Sequence, residues 1–146
     1  MQSIVKNRVL RRGACVAAFA VLLSGVGAAW ADDVKVKLTG DQEVPPVKTS
    51  ATGDGTITVG ADKAVSGSIK ATGVQATAAH IHEGAPGANG GVAIPLTKGA
   101  DGAFTVPAGA KLSDAQYEAY KAGNLYVNVH SDANPGGEIR GQLKGK

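Results

Sequence analysis

The sequence predicts an all-β protein: an antiparallel Greek-key or immunoglobulin-like β-sandwich with one short crossing helix. Two observations carry that expectation. Short runs of Val, Ile, Thr and Ala alternate with polar residues, so that each run offers one apolar and one polar face. Gly-, Asn-, Asp- and Pro-rich clusters separate the runs, and the chain has 21 glycines. Such clusters suit tight turns between short strands.

The N-terminus is set aside first. Lys6, Arg8, Arg11 and Arg12 precede an apolar stretch over 14–29, and Ala29-Trp30-Ala31 is an A-x-A cleavage motif. This is the pattern of a secretory signal peptide over 1–31, leaving one domain over 32–146. The expected location is the periplasm or the cell exterior. The apolar stretch is shorter and richer in Gly and Ala than a spanning helix requires, so no stable membrane insertion is expected after cleavage.

Removing 1–31 changes the electrostatics. The formal charge of +3 includes four basic residues that leave with the signal, after which 11 Lys and Arg face 12 Asp and Glu. No basic surface for nucleic acid is expected. The single cysteine, Cys15, also leaves, which removes disulfides and thiolate metal ligands from consideration. The remaining length of about 115 residues suffices for one core without staples.

The elements follow in order. Val34-Lys35-Val36-Lys37-Leu38 alternates strictly and reads as a half-buried strand. Glu43-Val44-Pro45-Pro46-Val47 cannot be a central strand, because two prolines remove two backbone donors, and it reads as a sheet-edge crossing. Residues 53–60 and 64–71 form two strands around a turn at Gly60-Ala61-Asp62-Lys63. Residues 76–83 form the next strand, with Ala79 and Ile81 on one face and His80 and His82 on the other. A Gly-rich loop over 84–91 follows, then strands over 92–96 and 102–106, with Pro95 placing the first near an edge. Residues 113–123 give the helix. Ser113 caps it, Gln116 completes a capping box, Leu112, Tyr117 and Tyr120 lie on its buried side, and Gly123 closes it. Strands over 124–130 and 138–143 flank a turn at 131–137.

The chain has three histidines, and all lie in two strands that lead into such loops. Residues i and i+2 of a strand share a face about 6.5–7 Å apart. His80 and His82 can therefore converge on one ion, with His130 as a third ligand if its strand is a neighbour. Three imidazoles without thiolate suit copper first and zinc second, with a fourth position open. The alternative is a hydrogen-bond network that pins the two loops, with Glu83, Asp132 and Glu138 as partners. Both readings stand at this point. Glu43 reads as structural. Asp132 and Asn134 read as Asx-turn residues, since they lack the ligand spacing of a calcium loop. Arg140 is expected in a partly buried salt bridge with Glu138, Glu83 or Glu43. There is no Ser/His/Asp triad signature, no phosphate loop and no glycosidase carboxylate pair.

Several separated motifs together resemble the CHRD domain. They are Glu43-Val44-Pro45-Pro46 with Thr49, Thr52 and Gly53; Ala79-His80-Ile81-His82; Asn128-Val129-His130-Ser131; and Gly136-Gly137-Glu138-Ile139-Arg140-Gly141-Gln142. The resemblance spans nearly all of 32–146 and implies an immunoglobulin-like β-sandwich of a kind found in bacterial secreted single-domain proteins. With the lack of catalytic motifs, it favours a non-catalytic module that binds a protein or a small ligand. His80-Ile81-His82-Glu83 and Val127-Asn128-Val129-His130 are also similar to the copper half of copper/zinc superoxide dismutase. That similarity implies a copper-binding, dismutase-like protein with His80, His82 and His130 as ligands and Arg140 as an anion-guiding charge. It departs from the enzyme in lacking a bridging histidine, the zinc ligands and the disulfide, so at most one metal can be held.

Overall fold

A computed structural model describes residues 30–145. The expected signal peptide therefore lies outside the described residues except for Trp30 and Ala31. Nine strands and one α-helix follow in order: β1 (Ala31–Thr39), β2 (Thr52–Gly60), β3 (Val65–Thr72), β4 (Ala76–Glu83), β5 (Val92–Pro95), β6 (Thr97–Lys98), β7 (Ala103–Thr105), α1 (Asp114–Lys121), β8 (Leu125–Ser131) and β9 (Ile139–Leu143). A 3-10 turn, Gly40–Gln42, follows β1. The strands form one antiparallel sheet in the order β5-β4-β8-β9-β1-β2-β3-β7-β6.

Two features of that order give the sheet its shape. Its outermost strands, β5 and β6, are separated along the chain by Leu96 alone. The sheet must therefore curl until its two edges nearly meet. At the opposite point, β1 and β9 pair only through Thr39 and Arg140, whereas β1 and β2 pair from Ala31 with Gly60 to Thr39 with Thr52. The curled sheet thus has a β5-β4-β8-β9 half and a β1-β2-β3-β7-β6 half.

The apolar faces point inward. Val34, Val36 and Leu38 alternate from β1, Ile57 and Val59 from β2, Ala79 and Ile81 from β4, and Leu125, Val127 and Val129 from β8. Phe104, Ile139 and Leu143 are wholly buried among them. Each such Val, Leu or Ile contributes roughly 1.5–3 kcal/mol on burial. Helix α1 forms where expected. The Ser113 hydroxyl accepts from Gln116 N–H, the Gln116 side chain accepts from Ser113 N–H, and Gly123 takes a left-handed φ of 77°. Tyr120 is its buried residue and donates to Asp32 Oδ2 at 2.7 Å.

The differences from expectation are local. β1 begins at Ala31, earlier than Val34, because Ala31 pairs with Gly60 and Ala61 N–H bonds Trp30 O. β6 has only two residues, too few to show alternation. The segment 43–51 contains no strand, in line with its prolines. Among the described residues, no helix is long and apolar enough to cross a membrane.

Candidate metal centre

The outward face of β4, β8 and β9 is polar yet largely buried. Register sets its layout: His82 lies opposite Tyr126, His80 opposite Asn128, and Ala78 opposite His130. On the other side, Asn128 lies opposite Arg140 and Tyr126 opposite Gln142. The small side chain of Ala78 leaves His130 room to lean along the sheet. The three imidazoles meet as a result, and their candidate ligand nitrogens all lie within 4.8 Å of one another.

Their polar contacts are specific. His80 Nδ1 and His130 Nε2 share a hydrogen bond of 2.9 Å. His130 Nδ1 lies 2.9 Å from Pro135 O, and His82 Nδ1 lies 3.0 Å from Gly90 O. A carbonyl only accepts, so each of these Nδ1 atoms carries the proton. Nε2 of both His82 and His130 is then left with a lone pair. The loops do pin the histidines, but the expected partners Glu83, Asp132 and Glu138 are not the ones used. Backbone carbonyls take that place, and the Glu138 carboxylate accepts instead from Thr49, Ser131 and Asn134.

His82 Nε2 is buried without a well-formed hydrogen bond. Its nearest polar side chain is Asn128, and a buried nitrogen without a well-formed bond leaves room for a water or an ion. Two nitrogens on one tetrahedral zinc or copper ion are roughly 3.3–3.4 Å apart, given bonds of about 2.0–2.1 Å. Small side-chain shifts would bring the cluster to that spacing. Metal-bound histidines commonly donate their other N–H to a carbonyl or carboxylate, as His82 and His130 do here. Burial, followed by the neighbouring imidazoles His130 and His82, lowers the pKa of His80 from its ordinary 6.5. Burial also lowers that of His82; Gly90 O and the Asn128 side chain oppose it, while His130 and Arg140 add to it. Both shifts favour the neutral ring, the form that binds a metal.

Arg140 corrects one expectation. It forms no salt bridge with Glu138, Glu83 or Glu43; the ion pairs found among the described residues are the exposed Lys63–Asp114 and Lys121–Glu118. Arg140 is 1% exposed, and its guanidinium lies 3.4 Å from the centre of the Tyr126 ring. It donates to Ala85 O, Gln142 Oε1 and Asn89 Oδ1, which are all neutral. The reason is register: Arg140 and Tyr126 sit diagonally on adjacent strands, where the ring is closer than any carboxylate. Held in this way, Arg140 is not free to guide an anion.

Tyr126, in turn, stacks on His82 with ring centres 5.0 Å apart and an interplanar angle of 7°. Its hydroxyl accepts from Gly90 N–H at 3.2 Å. Gly90 approaches β4 so closely that a Cβ there would lie 1.6 Å from Glu83 O. Tyr126 is not a candidate in the sequence, and Asn128 is only a motif residue there, although alternation along 124–130 places both on the face of His130. Glu43 is buried beside Gly137 and Asn128, and burial raises its pKa against the lowering effect of Arg140.

The fold brings the scattered motif residues together in two groups: the histidines of β4 and β8 with Asn128 and Arg140, and Thr49 of the Pro-containing crossing with Glu138 of the last turn. The model of the CHRD domain matches residues 34–143. The chain belongs to the CHRD domain family. Searches of curated proteins and of solved structures find no match. In this CHRD domain the Pro-Pro crossing and the Gly-Gly-Glu turn hold each other through Thr49 and Glu138, at 2.7 Å.

Proposed function

We propose that this CHRD domain is a secreted, non-catalytic binding module whose ligand is one copper ion, held by His80, His82 and His130. The observation that carries this reading is the meeting of three imidazoles with ligand atoms within 4.8 Å of one another, where the buried Nε2 of His82 makes no well-formed hydrogen bond. His82 and His130 have their tautomers set by Gly90 O and Pro135 O, as a metal requires. His80, whose Nδ1 donates to the Nε2 of His130, gives up that hydrogen bond and offers the lone pair of its neutral ring to the ion. Copper is favoured over zinc because an all-imidazole set suits it and the Irving–Williams order ranks it higher. Secretion rests on the basic and apolar N-terminal pattern with its A-x-A motif.

Calorimetric titration of the purified protein with copper and with zinc tests the reading. The expected result is one ion per chain, with binding lost in His82→Ala and His130→Ala. Unchanged binding in those variants would refute it. Superoxide dismutation measured on the copper-loaded protein separates a carrier from an enzyme, and no activity above free copper is expected.

A further inference from the structure

We infer that the three-histidine site holds monovalent copper in preference to divalent copper or zinc, because a buried cation with no carboxylate in contact, Arg140, is stacked against it through Tyr126. This rests on the metal-binding reading above and names the ionic state that the site selects.

The argument begins with ligand charge. His80, His82 and His130 are neutral donors, and no carboxylate joins them in the cluster. A bound ion therefore keeps its full formal charge: one unit for Cu(I), two for Cu(II) or Zn(II). Divalent zinc at three imidazoles usually gains a fourth, water-derived ligand, whose deprotonation offsets part of this charge. Here the neighbouring charge has the opposite effect. Arg140 is 1% exposed and bonded only to neutral acceptors. Its guanidinium lies 3.4 Å from the Tyr126 ring centre, and that ring stacks on His82 at 5.0 Å.

Two buried carboxylates are candidates for compensation. Glu138 is committed to the Thr49, Ser131 and Asn134 donors. Glu43 lies against Gly137 and Asn128; burial raises its pKa, and its attraction for Arg140 acts across more than ion-pair distance. Neither contacts an imidazole. For a cation on the order of 8 Å from the ion and an effective dielectric of about 20, one extra positive charge on the ion is disfavoured by roughly 30-fold. Geometry adds to this preference. Nε2 of His82 and of His130 are preset by carbonyls, and His80 completes a three-coordinate arrangement that a monovalent copper ion accepts without a further ligand.

The test compares dissociation constants on the purified protein. Cu(I) is measured anaerobically by competition with bicinchoninate, and Cu(II) and Zn(II) by competition with chelators of known affinity. The expected result is tightest binding of Cu(I), with the Cu(II)/Cu(I) potential of the bound ion above that of aqueous copper. Arg140→Gln should shrink the ratio of Cu(I) to Cu(II) affinity by roughly 10- to 30-fold. Glu43→Gln, which keeps the shape and removes any residual negative charge, should leave that ratio unchanged or enlarge it. Cu(II) or Zn(II) binding as tightly as Cu(I) in the unaltered protein would overturn the inference while leaving the metal site standing. Failure of all three ions to bind would remove the site itself. If Arg140→Gln does not fold, the unaltered protein and Glu43→Gln still decide the outcome.

Discussion

At the scale of single residues, charge and hydrogen bonding decide what the polar face can do. His80 and His82 both have pKa values held below 6.5, chiefly by burial. Lone pairs stay available until the pH falls through those lowered values. The share of the copper affinity that His80 and His82 supply should therefore be lost only below about pH 6.5, as followed by titration at several pH values. Glu138 acts on stability instead. Hydrogen bonds from Ser131 and then Thr49 lower its pKa from 4.5. A carboxylate whose pKa is lower in the folded state stabilises the fold above its unfolded pKa and loses that contribution as pH falls through the folded value. Glu138→Ala should thus cost about 2–3 kcal/mol at neutral pH, since it orphans three donors. Denaturant unfolding should show the gap between variant and parent narrowing below about pH 4.5.

At the scale of elements, the strands and the helix depend on different signals. The cap of α1 rests on Ser113 and Gln116, so Ser113→Ala should lower stability by about 1 kcal/mol without touching metal binding. Thermal melts and titrations on one preparation would show both effects. Gly137 lies at the other extreme. Its φ is 136°, and a Cβ there would lie 2.5 Å from Glu43 Oε1 and 2.7 Å from Asn128 Nδ2. Gly137→Ala should destabilise the fold and weaken copper binding together, because the turn would move with the Pro135 carbonyl that holds His130. The helix was legible because its capping box is local in sequence. Strands such as 34–38 were legible from strict alternation. The partner of Arg140 was not, since sequence offers only charge complementarity, and three glutamates looked suitable. The decisive neighbour, Tyr126, follows from the pairing of Asn128 with Arg140, a register between distant segments. The histidine cluster was legible as three candidate residues. Its geometry also needed β4 beside β8 and a small residue at Ala78.

At the scale of the molecule, the curled sheet has one continuous core, and Leu96 bridges its two edges. Leu96 is 9% exposed, and its N–H bonds Ala79 O at 3.0 Å. Leu96→Ala should cost about 2–4 kcal/mol and keep a single cooperative transition in calorimetry, because both halves share that core. Two separate transitions would show that the halves fold independently. The outer support of the metal cluster belongs to this scale as well. It consists of Gly90 O and Pro135 O, atoms that every amino acid carries at those positions. No side-chain replacement deletes them, so an alanine scan would pass over half of the machinery that orients the imidazoles. What must be inherited is the path of two loops rather than the identity of two residues. Divergent sequences could then keep the same site with little outside the three histidines to mark it.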